Sequence, residues 1–234
     1  MIFIYSLIFA LLLSLILTSN IKKNYWTYYL ISIFIGIITT VYEVLRITSG
    51  VKLYGFPLFL EKIFIRGYIS IAFFILVMFA GALNPKWKIT RKLQSIRAEL
   101  AIMASIFIIP HALIYFVRFI VLKLPKMFTT GVIPKLYIAY IIVGIIAFVI
   151  MLPLFITSFK KIRSKMQSGK WRKLQKRAYI FYFLVYVHIL IIMVNEKEID
   201  LLKLSSYTII FGTYTILRLI KYKNNRQSKL KIAS

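Results

Sequence analysis

The chain has no cysteine among its 234 residues, which excludes disulfides, thiolate metal centres and cysteine-held iron–sulfur clusters. Acids are scarce, with six Asp and Glu against 32 Lys and Arg, so no buried run of carboxylates is available to line an ion path. Histidine occurs twice, at His111 and His188. No G-x-G-x-x-G fingerprint is present, and neither an internal repeat nor a low-complexity linker divides the sequence. The opening run MIFIYSLIFALLLSLILTSN lacks the basic flank and the small-residue cleavage site of a signal peptide. It is expected to be a retained first span.

Apolar residues are abundant: 61% of the chain is hydrophobic, 16% is aromatic and the mean hydropathy is +0.84. Nearly uncharged stretches of about 18 or more residues recur, the length that crosses a hydrocarbon core of about 30 Å. The expected fold is an all-α integral membrane protein, a bundle of about seven transmembrane helices. They are read at roughly 2–20, 28–48, 64–83, 98–122, 135–158, 176–194 and 205–220, with breaks marked by Gly50, Gly55, Pro57, Asn84–Pro85 and Pro125. The net charge of +26 does not point to nucleic acid, because Lys and Arg cluster in short loops between spans, where they meet anionic lipid. With the N-terminus outside, most of the 32 basic residues fall in inner loops, above all in 159–177 (FKKIRSKMQSGKWRKLQKR). The expected orientation is therefore N-out and C-in, with 221–234 a basic cytoplasmic tail.

In that topology the fourth and sixth helices both run outward, and His111 and His188 each lie about 12–13 residues along them. At ~1.5 Å per residue both imidazoles stand about 18–20 Å from the inner end. A histidine inside a membrane is a functional-site hypothesis by default. Two at equal depth on different helices are what a bis-imidazole haem iron needs. The alternative is two unrelated histidines hydrogen-bonded to carbonyls or hydroxyls of neighbouring helices. Spacing alone leaves both readings open.

The segment 152–190 carries further pattern: Thr157–Ser158, the basic loop, then Trp171, Leu174, Gln175, Lys176, Tyr179 and His188. Upstream, Arg97 and His111 stand 14 residues apart after Arg91-Lys92-Leu93. These residues resemble the ferric-reductase-like transmembrane domain superfamily, which includes the haem-binding membrane subunit of the bacterial methionine sulfoxide reductase system, ferric reductases and NADPH oxidases. In that superfamily a Thr-Ser ends one helix, and after a basic loop a Trp-x-x-Leu-His-Arg-x-x-Tyr motif opens the next, with a second His about 13 residues on. The resemblance covers about 64–220 and leaves residues 1–50, two helices, outside the family core.

What the resemblance implies is two stacked haems, each held by a pair of ligands. Here the outer pair, His111 and His188, is complete. The inner pair would be Arg97 and Gln175, neither an ordinary haem ligand, so one b-type haem toward the outer face is expected. The implied function is electron transfer toward an extracytoplasmic acceptor, ferric iron or a partner redox enzyme, in the bacterial cytoplasmic membrane. With no flavin–nicotinamide domain after the seventh helix, the donor would be a quinol, a bound FMN or a separate flavin reductase. The rival reading is a non-enzymatic membrane component, a redox-inactive paralogue or a partner-binding or transport subunit, that keeps the fold. A third is a quinol-reactive enzyme with flavin alone.

Arg118, at i+7 from His111, would pair with a haem propionate or else snorkel at a helix end. Glu43 and Arg46, at i and i+3, are expected to form a local ion pair. Glu99 sits where a helix dipole favours an acid. The basic loop 159–177 is a topology signal that could also dock an acidic reductase or hold a flavin phosphate.

Overall fold

Backbone polar groups crossing a hydrocarbon layer must bond within their own segment, so apolar runs of this length fold as helices. The computed structural model describes residues 2–196 and 198–233, and no strand occurs among them. Met1, Lys197 and Ser234 lie outside the described residues. The order is α1 (Ile2–Ile16), α2 (Thr18–Lys23), α3 (Tyr25–Ser49), α4 (Gly55–Ile65), α5 (Tyr68–Ala82), α6 (Lys88–Ser95) and α7 (Arg97–Arg118). A π-helical turn (Phe119–Lys123) follows, then α8 (Leu124–Thr130), α9 (Lys135–Ile156), α10 (Lys160–Arg163), α11 (Ser168–Gln175), α12 (Ala178–Val194) and α13 (Leu201–Ala233).

Among the described residues, four helical runs are long and apolar enough to cross a membrane: Tyr25–Ser49, Arg97–Thr130, Lys135–Ile156 and Ser168–Val194. A fifth is formed if α4 and α5 make one span bent by 49°. The α1 helix alone is short, but backbone bonds from Leu17 to Leu13 and from Ile21 to Leu17 carry it on into α2. The α13 helix contains the expected seventh segment, yet Ser205, Ser206, Thr208, Thr213 and Thr215 lower its apolar character, and it is not among these runs.

Two boundaries inside the bundle differ from the sequence reading, and the last helix, read at 205–220, runs over Leu201–Ala233. Residues 64–83 are not one straight helix: the chain breaks at Arg66–Gly67, where Gly67 takes φ +73°, a left-handed conformation that glycine adopts without a side-chain clash. Pro125 does not end the fourth span either. A proline cannot supply the N–H for the bond to residue i−4 and its ring crowds that carbonyl; the preceding five residues widen into the π turn, and the helix runs on to Thr130. Pro110 is likewise accommodated inside α7, where Gly36 of α3 packs against its ring.

The α5 helix is apolar all round and almost wholly buried, packed on α1 and α7, with Ser70 donating to the Ala104 carbonyl at 2.7 Å. Around it, α3 packs on α7 and α9 packs on α12. Large apolar side chains such as Phe34, Ile37 and Ile146 face outward along these helices, a belt that only lipid would solvate well. The molecule is an integral membrane protein.

Candidate functional site

His111 on α7 and His188 on α12 meet inside the bundle, their ring centroids 6.4 Å apart and their planes nearly perpendicular at 87°. Each Nδ1 is anchored to a backbone carbonyl at 2.8 Å: His111 to Ile65, His188 to Tyr140. A carbonyl can only accept, so both imidazoles donate from Nδ1 and keep the Nε2 lone pair for another partner. This is how a protein orients metal-binding imidazoles.

Two glycines make the anchoring feasible. The break at Gly67 ends α4 at Ile65, and a carbonyl at a helix end lacks an intrahelical partner, so it is open to His111. On α9, a Cβ at Gly144 would lie 2.9 Å from Cε1 and 3.1 Å from Nδ1 of His188. Only glycine lets the ring lie against α9 and reach Tyr140.

The arrangement fits a haem iron. With bonds of about 2.0 Å from metal to nitrogen and ring centres roughly 1.1 Å behind Nε2, two imidazoles on one ion would stand about 6 Å apart, close to the 6.4 Å seen. Among the described residues no group of three or more His, Cys, Asp and Glu could hold a bare metal ion. Two imidazoles complete the sphere of an iron whose other ligands come from a macrocycle.

Arg97, about 21 Å from His111 along α7 at ~1.5 Å per residue, and Gln175, at the end of α11, line one cavity of about 350 Å³. Phe74, Met151 and Phe181 form apolar wall, and Glu99 and Trp171 also border it. Arg97 Nε donates to the Val77 carbonyl at 3.2 Å, Gln175 Nε2 to Thr157 Oγ1 at 3.2 Å and Trp171 Nε1 to the Thr157 carbonyl at 3.2 Å. The Gln175 amide oxygen and the Arg97 terminal nitrogens remain for a ligand. Neither residue offers an imidazole to iron.

Arg118 is neither snorkelling nor free. Its Nη2 bonds Glu43 Oε2 of α3 at 2.5 Å, and Arg46 bonds the same oxygen at 2.9 Å, the i,i+3 pair read from the sequence. Arg46 also lies 3.6 Å from Glu61 on α4. Sequence reading missed the interhelical half of this network. The signal was Glu43 itself, an acid in an apolar helix, which must find partners. Gly67 and Gly144 were missed as well, their roles being set by what packs on them.

What these features define is an all-helical integral membrane protein with two oriented imidazoles at its centre. Comparison with known proteins narrows the class. Residues 66–193 match the ferric reductase-like transmembrane component family, and the chain belongs to that family. Over 172 residues it is 30% identical to an uncharacterized protein of Treponema pallidum (strain Nichols), covering 70% of this chain; it spans only about half, 46%, of that relative. No solved structure matches the chain. The family is generally haem-associated, and membership supports a place in membrane electron transfer. The matched segment includes both histidines, Arg97, Gln175 and Arg118; α1 to α4 and α13 fall outside it.

Proposed function

We propose that this protein is a b-type haem electron carrier of the bacterial cytoplasmic membrane, with seven spans, N-out and C-in, passing electrons to an extracytoplasmic acceptor. One observation carries the reading: the His111 and His188 rings come within 6.4 Å, each with Nδ1 tied to a carbonyl and Nε2 left over. A haem held by two imidazoles supplies reversible one-electron chemistry without an open position for substrate. The chain's own residues bury the centre, fix both ring orientations and thereby bias its potential. The acceptor is ferric iron or a partner redox enzyme. The core is taken to run over 64–220, with α13 as its last span.

The cavity bordered by Arg97 and Gln175 suits a planar ring bearing carbonyls, a quinone or an FMN isoalloxazine, in place of a second haem. Arg97 would donate to a ring carbonyl, Gln175 Oε1 would accept from a ring hydroxyl or N–H, and the phenylalanines would pack on its faces. A quinol, a bound flavin or a separate reductase is then the electron source. Titration with a short-chain quinone, and separately with FMN, is expected to quench Trp171 emission, a component that Trp171→Phe removes. Quenching by neither ligand would count against an occupant of this type.

The test of the main reading is a reduced-minus-oxidised spectrum of the detergent-purified chain with a pyridine haemochrome assay. About one haem per chain with a low-spin b-type spectrum is expected. Two would show that the Arg97–Gln175 end also ligates, and none would favour the rival reading, a redox-silent membrane component that keeps the fold.

A further inference from the structure

The helix that precedes the family segment reaches into the site. Glu43, on α3, is fully buried at 0% exposure, and its Oε2 is shared by Arg46 of its own helix and Arg118 of α7. Arg118 belongs to the same helix face as the ligand: His111 packs against Tyr115 with ring centroids 4.7 Å apart and planes tilted by 41°, and the Arg118 guanidinium lies 5.8 Å from the Tyr115 ring centre. A continuous line therefore runs from the imidazole through Tyr115 and Arg118 to Glu43, and on through Arg46 to Glu61. Arg66, at the α4–α5 break, is the remaining charged group facing this cluster.

Burial makes these charges matter. In a medium of low effective dielectric, charges act over distances at which water would screen them. An arginine held in an apolar bundle with no counter-ion is costly, so Arg118, partly exposed on α7, can stand above the haem site only if another element supplies the negative charge. That element is α3, which lies outside the segment matching the family. The Glu61 carboxyl of α4 also neighbours Glu43, and the two arginines on Oε2 are the hydrogen-bonded cations that balance this carboxylate.

Resting on the haem reading, we propose that Glu43 is a positioning and counter-charge residue by which the N-terminal helix sets the reduction potential of the haem through Arg118. Reduction adds one electron to the centre. A nearby positive charge favours the reduced state and a negative charge opposes it. With Glu43 ionised, much of the field of Arg118 and Arg46 is cancelled; without it that field acts in full.

The test is a potentiometric titration of the haem in the purified full chain. Glu43→Gln is expected to favour the reduced state at least tenfold, about 59 mV upward for a one-electron couple. Arg118→Gln is expected to shift it downward by a similar factor. Arg118→Lys, which keeps the charge, should stay near the parent, and the Glu43→Gln/Arg118→Gln double variant should fall between the singles. A merely structural brace would not give opposite signs. Shifts of the same sign, or no shift in either variant, overturn the proposal. Should Glu43→Gln fail to load haem, Arg46→Gln takes its place in the comparison, with a downward shift expected and an unchanged potential overturning the idea. A parent chain without haem removes the haem reading and this inference together, a result distinct from a loaded parent whose potential ignores these charges.

Discussion

Alanine at either His111 or His188 is expected to take the haem content of the purified chain from about one per chain to near zero, with loss of the low-spin spectrum. On the haem reading the two positions are coupled, because the rings stand 6.4 Å apart and each has Nδ1 on a carbonyl and Nε2 left over for one shared iron. Alanine at His111 also removes the donor to the Ile65 carbonyl at the end of α4, and a buried carbonyl left without its partner costs ~1–3 kcal/mol, so that variant should melt earlier as well. Glutamine separates the two effects. Its amide can still donate to the carbonyl but is a poor iron ligand, so His111→Gln should retain most of the thermal stability while losing haem. A glutamine variant that keeps the parent spectrum would sink the ligand assignment. One that loses both stability and haem would show that the ring's packing, and not its nitrogen, is what the bundle requires.

These two histidines were legible in the sequence because depth along a helix is a simple function of residue number. Counting ~1.5 Å per residue from the ends of two apolar runs places them level, and the structure brings the two rings together. The same holds for Arg97 and Gln175, which occupy corresponding positions and share a cavity. What could not be read was anything set by a neighbour distant in sequence. Glu43 and Arg118 are 75 residues apart, so only the local pair with Arg46 was visible. Residues 64–83 read as one helix because a single glycine in an apolar run is ordinarily tolerated there. That Gly67 turns left-handed and leaves the Ile65 carbonyl open to His111 depends on the packing of α4 and α7. Pro125 misled in the opposite sense, since a proline marks a helix end only where the preceding turn cannot widen. The span count is the least legible feature, because α1 is short and α13 is studded with hydroxyls.

Gly144→Val is expected to abolish haem binding without touching a ligand, and Gly144→Ala to reduce it. The three atoms nearest a Cβ at this position all belong to His188, the closest at 2.9 Å, so a methyl group already forces the imidazole off α9. Any such shift pulls Nδ1 from the Tyr140 carbonyl and turns Nε2 away from its partner across the centre. Branching at Cβ enlarges the displacement, so the loss should grade from alanine to valine. Gly212→Ala, where nothing lies within 4 Å of the added carbon, supplies the control and should load haem as the parent does. A second comparison distinguishes a displaced ligand from a damaged bundle. If the clash is with His188 alone, the Gly144→Val/His188→Ala chain should melt no lower than His188→Ala by itself, because the ring that valine strikes is gone. A double variant that melts well below it would mean that α9 and α12 need the glycine for their own contact. A Gly144→Val chain with parent haem content and spectrum would mean that His188 binds from a different position than the one that its bond to Tyr140 defines.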